Sequence, residues 1–371
     1  MAAYFDVEAF GVPVRVDVDD SVPDASTREL RSQWRHALVS GRDPEVRLYY
    51  GVRPGTGDAV QTVVTRPARW LVGATTELAA RVATDVTLGA LEARAGDRLL
   101  FHSSAVALDD GGVIGFIGRS GMGKTTLVST LARRYGYVTD ETLCVDRDGA
   151  VAPYQKPLSI GRAPQIKTQR AAADLGMRIA PNAGLALAAL VLLDRRDDAP
   201  AAEVHVVPLA EAVPAVAAHM SYFGRMPRPL RSICELVVRT GGVRRVSYRE
   251  SESVLDRIAE ILAIAPPPTP TLEDVEPYPG TPTREGYHRA PYSDALRIGD
   301  EVLILHGSRI TRLNDLAAIL WNSAAGLDLD ALVERVSDGL GEAPEGIDAR
   351  AVVGRNIGEL IGAGLLVHQG A

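Results

Sequence analysis

The stretch Val113–Leu127 reads VIGFIGRSGMGKTTL. Within it Gly118, Gly123, Lys124 and Thr125 complete the pattern G-x-x-x-x-G-K-[ST], the phosphate-binding loop. Glycine has no Cβ atom, so the backbone can bend through positive φ and point its N–H groups at phosphate oxygens. The lysine adds a mobile positive charge at the β- and γ-phosphates, and the threonine hydroxyl is suited to Mg²⁺.

The sequence on both sides of this loop fits the same interpretation. Apolar residues at 113–117 predict a strand, and Lys124–Tyr135 predicts a helix that Gly136 closes. The loop would then lie at a helix N-terminus, where unpaired N–H groups favour anions. A glycine-rich turn that matches by chance is the alternative, and the flanking strand and helix count against it. We therefore expect a nucleoside triphosphate, bound by Gly118, Ser120, Gly121, Met122, Gly123, Lys124, Thr125 and Thr126.

Length and composition limit the class of protein. The 371 residues allow two or three domains, and 46% hydrophobic with 23% charged residues is ordinary for a globular chain. The net charge of −7 argues against a general nucleic-acid binder. Cys144 and Cys234 are not part of a metal-ligand spacing. Met1–Val12 lacks the basic segment of a signal peptide. The longest apolar run, Leu185–Leu193, is too short to span a bilayer. We expect a soluble cytoplasmic protein with no signal peptide and no membrane partner.

Residues 1–95 predict a small α/β lobe that supports or covers the nucleotide domain. Val14–Val18 alternates apolar and polar residues, and Val46–Val52 and Trp70–Val72 are further strand candidates. Thr75–Arg94 predicts a helix whose apolar stripe is Leu78, Val82, Val86 and Ala90.

The strand that leads into the phosphate loop is preceded by a hairpin signal. Apolar residues lie at Leu99–Phe101, before His102, and at Ala105–Leu108, and Asp109–Gly112 separates them from Val113. The two strands should therefore be antiparallel, whereas a doubly wound nucleotide-binding sheet normally joins its strands through helical crossovers.

Two adjacent carboxylates follow the predicted helix. Asp140 and Glu141 lie between the apolar segments Tyr137–Thr139 and Leu143–Val145. Such a pair suits metal coordination and proton acceptance. A solvated acidic turn is the alternative, and the position close to the phosphate loop favours the functional interpretation.

The order of these motifs resembles a known family. H-S-S-A before the hairpin, G-x-S-G-x-G-K-T-T-L, G-Y-x-x-D-E and P-L-S-I together look like the HPr kinase/phosphorylase-related proteins. The resemblance covers roughly residues 96–262 and is strongest over His102–Ile160. It implies an α/β phosphate-loop domain on the fold shared with phosphoenolpyruvate carboxykinase, and transfer of the γ-phosphate of ATP to a Ser or Thr hydroxyl of a protein or peptide.

The resemblance also implies roles for single residues. Asp140 matches the carboxylate that acts as general base, and His102 matches a histidine close to the reacting phosphate. Glu141 stands where the family more often has a second Asp near the metal. Lys124 would neutralise developing charge, and Thr125, Asp140 and Glu141 would hold Mg²⁺. The longer signature of the enzymes specific for HPr is not found, so we do not expect HPr to be the substrate.

Other polar residues leave alternatives open. Asp194 ends an apolar strand at Leu190–Asp194, as a second metal-side carboxylate does, but an interior strand with a surface Asp is favoured. Arg225, Arg228 and Arg231 would suit a phosphate or an acidic peptide, although an exposed basic loop is favoured. The histidines without partners at ligand spacing are interpreted as structural: His36, His205, His219, His288, His306 and His368.

Residues 265–290 are rich in proline and predict a stiff connector between the kinase-like domain, residues 96–264, and a terminal module. The prolines are Pro266, Pro267, Pro268, Pro270, Pro277, Pro279 and Pro282.

The terminal module, residues 291–371, predicts a hairpin around Gly307 followed by three helices, a winged-helix arrangement. Asn314 and Asp328 are the predicted N-caps of the first two helices. The order, with the motif L-N-x-x-A-x-x-x-W at Leu313–Trp321, resembles the PqqD family, which holds the leader peptides of ribosomally made natural products.

The charge of this module weighs against DNA, a common ligand of winged helices. Residues 291–371 contain six Arg, no Lys, seven Asp and five Glu, a net charge of −6. A duplex would be repelled. An exposed strand edge can instead pair with an extended peptide.

These observations favour an ATP- and Mg²⁺-dependent kinase for a Ser or Thr of a ribosomally synthesised precursor peptide, with the leader held by the terminal module. A non-catalytic chaperone or regulator that nucleotide switches, or a small-molecule kinase, are the alternatives. The sequence names neither the peptide nor its modified residue. Members of the kinase family are often oligomeric, which leaves a homo-oligomer open.

Overall fold

The computed structural model describes most of the chain, and it describes residues 52, 60–64 and 69–70 by their backbone alone. The described residues are 3–52, 60–64, 69–70, 77–161, 167–199, 201–265, 267–276, 278, 280–281 and 284–370. They form a mixed α/β protein with several sheets, and none of their helices is both long and apolar enough to cross a bilayer. The chain divides into two compact units: the first holds Met1–Val207, His219–Met226 and Arg239–Ala265, and the second holds Pro208–Ala218, Pro227–Val238 and Pro266–Ala371.

The first unit begins with an α/β lobe. Its strands are β1 (Ala3–Ala9), β2 (Val12–Val18), β3 (Leu38–Val39), β4 (Val46–Val52), β5 (Val60–Val64) and β6 (Arg69–Trp70), in the order β3-β1-β2-β4-β5-β6, and its helices are α1 (Asp24–Gln33) and α2 (Leu78–Ala93). The predicted strands at 14–18 and 46–52 are confirmed, and the predicted stripe of α2 is buried against the sheet. Of the predicted strand Trp70–Val72, the residues after 70 lie outside the described part, as do Thr75 and Thr76, the first two residues of the predicted helix.

The next elements run from residue 99 to residue 263. They are β7 (Leu99–Ala107), β8 (Gly112–Ile117), α3 (Lys124–Leu131), β9 (Gly136–Thr139), β10 (Thr142–Val145), β11 (Val151–Ala152), β12 (Leu158–Ile160), β13 (Thr168–Arg170), β14 (Arg178–Ile179), β15 (Ala186–Arg195), β16 (Glu203–Val207), α4 (Leu209–Ala217), β17 (Met220–Ser221), α5 (Pro229–Arg239), β18 (Val243–Tyr248), α6 (Ser251–Leu255) and α7 (Ile258–Ala263). Within the described residues, ten strands form one sheet with the central order β11-β10-β7-β8-β15-β18-β16.

The predicted hairpin is confirmed. β7 and β8 are antiparallel, with Ser103 opposite Ile117 and Ala107 opposite Val113. On its other side β8 pairs in parallel with β15. The strand that enters the phosphate loop therefore has an antiparallel neighbour on one side and a parallel neighbour on the other.

The predicted end of the loop helix is wrong. α3 ends at Leu131, and Gly136 starts β9 instead of closing the helix. A Cβ atom at Gly136 would lie 2.8 Å from Cα of Ala180. The glycine is therefore explained by the close approach of two backbones.

The second unit contains the predicted hairpin and three helices. Its remaining elements are β19 (Leu272–Asp274), β20 (Gly286–Arg289), β21 (Asp294–Ile298), β22 (Glu301–His306), β23 (Arg309–Leu313), α8 (Asp315–Ser323), β24 (Ala325–Leu327), α9 (Leu329–Leu340), α10 (Ala349–Gly362) and β25 (Leu366–Gln369). They form the sheets β19-β21-β22-β23 and β24-β20-β25. The side chains of Asn314 and Asp328 cap α8 and α9, accepting from the N–H groups of Ala317 and Ala331 at 2.9 Å.

The boundary of this unit differs from the sequence prediction. The segment 265–290 is not only a connector, because β19 pairs with β21 and β20 pairs with β24 and β25. Its prolines 266, 277, 279 and 282 lie outside the described residues. In addition, α4 packs on β23 and β22, and Arg231 of α5 donates to Asp274 at 2.7 Å. A truncation at residue 290 would therefore cut through the second unit and uncover two of its helices.

The two cysteine thiols are expected to be unreactive in the folded protein. Cys144 in β10 and Cys234 in α5 are free and buried, and burial raises the pKa of each thiol to about 12. Because the thiolate is the reactive form, a thiol-specific chromogenic disulfide at pH 8 should titrate neither group before unfolding and both in denaturant. Rapid reaction of either thiol in the folded protein would contradict the burial described here.

Candidate phosphate-binding and carboxylate site

The loop between β8 and α3 has the backbone geometry of an anion site. Gly121 and Gly123 have φ of +86° and +83°, in the left-handed region that favours glycine. α3 starts at Lys124, so Thr125 and Thr126 lie in its first turn, where N–H groups lack helical partners. Ser120 is exposed, and Met122 accepts a hydrogen bond on its carbonyl oxygen from the hydroxyl of Tyr248 at 3.0 Å.

The loop lysine is held against its own loop. Lys124 is 8% exposed, and burial lowers the pKa of its ammonium. Its Nζ donates to the carbonyl oxygens of Gly118 at 2.6 Å and Arg119 at 3.3 Å. A bound triphosphate would offer this ammonium charged acceptors in place of two neutral carbonyls.

The sheet register brings the acidic pair to the loop. On β7, His102 lies opposite Thr142 of β10, and Ser103 lies opposite Ile117 of β8. The N–H of Ser103 donates to the carbonyl oxygen of Glu141 at 3.0 Å. Neighbouring strands are about 4.8 Å apart, so the loop and the acids flank β7 at a backbone separation of roughly 10 Å.

A buried lysine joins the two carboxylates. Lys156 Nζ lies 3.1 Å from Oδ1 of Asp140 and 3.2 Å from Oε2 of Glu141. The side chains of Lys156 and Asp140 are 5% and 7% exposed, whereas that of Glu141 is 39% exposed. Burial alone would lower the pKa of Lys156, but the two carboxylates outweigh it and the net pKa is raised. Asp140 is thus fixed in position by a charge that the sequence analysis did not assign.

The hydroxyl of Tyr137 completes the surroundings of Asp140. It donates to Oδ1 at 3.0 Å, and burial, followed by the charge of Asp140, raises the pKa of this phenol well above its usual value. Tyr137 therefore stays protonated and donating at any physiological pH.

The backbones of two histidines are hydrogen-bonded beside the phosphate loop. The side chain of His102 is at the surface, and partial desolvation followed by the charge of Lys124 lowers its pKa, while Glu141 and Asp140 oppose the shift. The N–H of His102 donates to the carbonyl oxygen of His219 at 2.6 Å. From the sequence His219 is interpreted as structural, and this backbone bond agrees with that interpretation while it also brings His219 next to a predicted site residue.

One signal in the sequence could have found Lys156. The chain has 40 Lys and Arg residues, of which only Lys124, Lys156 and Lys167 are lysines. Two of these three are buried around the loop and the acidic pair. Tyr137 lies within the motif G-Y-x-x-D-E, although that resemblance assigned it no role, and His219 carries no comparable signal because its position depends on strand pairing.

The remaining candidates have other partners. Asp194 accepts from Nε of Arg196 at 2.8 Å and from the hydroxyl of Ser247 at 3.0 Å, which favours a structural role over a metal ligand. Each of the three candidate arginines forms an ion pair with a carboxylate: Arg225 with Glu92, and both Arg228 and Arg231 with Asp274. They do not form one free cationic clamp.

The oxygen atoms near the phosphate loop suit a magnesium ion that is also coordinated by phosphate oxygens. Among the described residues, no group of three or more His, Cys, Asp and Glu side chains could hold a metal ion by itself. Mg²⁺ at a nucleotide usually takes one or two carboxylates and completes its shell with phosphate oxygens and water. Asp140, Glu141 and the hydroxyl of Thr125 match that requirement.

A separate cavity lies elsewhere in the first unit. Its volume is about 740 Å³, and Asp6, Arg15, Arg31 and Arg42 are among its lining residues. Arg15 is already bound to Asp6 through two hydrogen bonds of 2.8 and 2.9 Å. We assign the candidate site to the loop instead, because buried ionisable groups converge there.

No protein-family model matches the chain, and no curated protein matches it either. The functional argument therefore depends on the residues and their geometry.

Proposed function

We propose that the protein is an ATP- and Mg²⁺-dependent kinase that phosphorylates a Ser or Thr of a ribosomally synthesised precursor peptide. The observation that carries the proposal is the register of β7, which has the phosphate loop on one side and the carboxylate pair on the other. A triphosphate on the loop would extend towards a buried carboxylate, as transfer to a hydroxyl requires.

The proposed reaction uses few groups. The acceptor hydroxyl oxygen forms a bond to the γ-phosphorus, the bond between that phosphorus and the β–γ bridging oxygen breaks, and the hydroxyl proton passes to Asp140. Lys124 and the loop N–H groups stabilise the negative charge of the phosphates, and Lys156 with Tyr137 orients Asp140. Bound Mg²⁺, held by Thr125, Asp140 and Glu141, would neutralise charge on the triphosphate.

The topology supports the family resemblance. An antiparallel strand directly before the phosphate-loop strand agrees with an HPr kinase and phosphoenolpyruvate carboxykinase-like fold better than with a doubly wound sheet. We include this fold in the proposal, together with a cytoplasmic location that suits ATP use and two free thiols.

We assign the leader peptide to the second unit, as a PqqD-like winged helix. In the described residues β23 pairs with β22 alone and has α4 packed against it, so it is the edge strand of its sheet. Edge strands can accept an extended peptide. The net charge of −6 over residues 291–371 favours a neutral or basic peptide over nucleic acid. Leader binding would raise the effective concentration of the core peptide at the kinase site.

Intact mass measurement tests this function. The full chain is incubated with MgATP and short peptides encoded beside it, and a kinase should add the mass of one phosphoryl group to a peptide. Excess isolated leader should slow the reaction by competition, whereas a small-molecule kinase would be unaffected. Nucleotide-dependent peptide binding without any mass gain would favour the chaperone alternative. Competition is preferable to deletion after residue 290, because α4 and α5 belong to the second unit.

A further inference from the structure

Strand β17 continues the sheet where β8 stops. Residues 103–107 of β7 pair with β8, whereas Phe101 and Leu100 pair with Met220 and Ser221 of β17. The hydrogen bond from His102 N–H to the carbonyl oxygen of His219, at 2.6 Å, extends this ladder by one residue. His219 therefore lies next to the point at which the chain leaves β8 and enters the phosphate loop.

The charged groups that influence the His219 ring are basic side chains. Burial lowers the pKa of His219, and the charges of Lys124, His102 and Arg119 lower it further. His102 differs, because its ring is also influenced by Glu141 and Asp140. Strand pairing agrees with this difference, because β17 lies on the β8 side of β7 and β10 lies on the other side. His219 is therefore on the side of β7 that leads to the phosphate loop, and the acids are on the opposite side.

We propose that His219 is a phosphate-binding residue that donates a ring N–H to the terminal phosphate of the bound triphosphate. This inference rests on the proposed nucleotide site and names one further residue in it. Because ADP lacks the terminal phosphate, such a donor would give the site a preference for ATP over ADP.

The test compares the affinities of ATP and ADP by calorimetry with Mg²⁺ and without peptide. His219→Ala should weaken ATP binding about tenfold or more and leave ADP binding within about twofold, since hydrogen bonds to charged groups are among the stronger ones. His219→Gln, which keeps an N–H donor, should recover part of the preference for ATP. His205→Ala is the matched control, because His205 is an exposed histidine in β16 of the same unit.

Each outcome decides the proposal. Unchanged ATP affinity in His219→Ala overturns it, and so does an equal loss for ATP and ADP, which would indicate a structural role. A wild-type protein that binds neither nucleotide overturns it together with the proposed function. If the wild type binds ATP but transfers no phosphate, and His219→Ala still loses the preference for ATP, this inference holds while the kinase proposal fails.

Discussion

The Asp140→Asn variant is expected to transfer phosphate about 10² to 10⁴ times more slowly than the wild type. Its affinity for MgATP should fall far less, because Thr125, Glu141 and the phosphate loop still hold the metal and the triphosphate. The amide has the shape of the carboxylate but cannot take the hydroxyl proton. The measurement is the initial rate of peptide mass gain, with ATP affinity determined in parallel by calorimetry.

The control for this variant is Asp148→Asn, which alters an exposed carboxylate in the same unit. Its rate should equal that of the wild type. If Asp140→Asn retains the full rate, Asp140 is not the general base. If it loses ATP binding as well, its main role is in binding the nucleotide and the metal.

The Lys156→Met variant is expected to lose about 3 to 5 kcal/mol of stability, because Asp140 would remain buried without its charged partner. Glu141 would add repulsion at the same place. The melting temperature of the first unit should fall by on the order of 10 °C, measured by scanning calorimetry. Lys167→Met is the matched control, because it changes the remaining lysine, which is exposed.

A double variant separates loss of charge from loss of packing. Combining Lys156→Met with Asp140→Asn removes the unpaired charge, so the protein should be more stable than Lys156→Met alone. If the double variant is as unstable as the sum of the single variants, the contribution of Lys156 is packing and the ion pair is not important for stability.

Local patterns predicted much of the fold. The phosphate loop is contiguous in sequence, the hairpin depends on one turn, and the apolar stripe of α2 depends on helical spacing. All three could therefore be predicted without tertiary information. The end of α3 was not, because Gly136 is needed for its contact with Ala180, 44 residues further along the chain.

The partners within the candidate site could be predicted only in part. Asp140 and Glu141 are a local pair, but the bond from Lys156 depends on a segment that follows two more strands. His219 lies 117 residues after His102, and only the pairing of β17 with β7 brings them together. The assignment of α4 and α5 to the second unit likewise follows from tertiary packing, which no local sequence pattern predicts.

The central claim is that the loop and the acidic pair surround one triphosphate, and the three lysines of the chain offer a direct test. An ATP analogue that carries a lysine-reactive acyl group on its γ-phosphate should label Lys124 or Lys156, and excess ATP should block the labelling. Peptide mapping by mass spectrometry then reads all three positions. Labelling confined to the exposed Lys167, or labelling that ATP does not reduce, would contradict the claim.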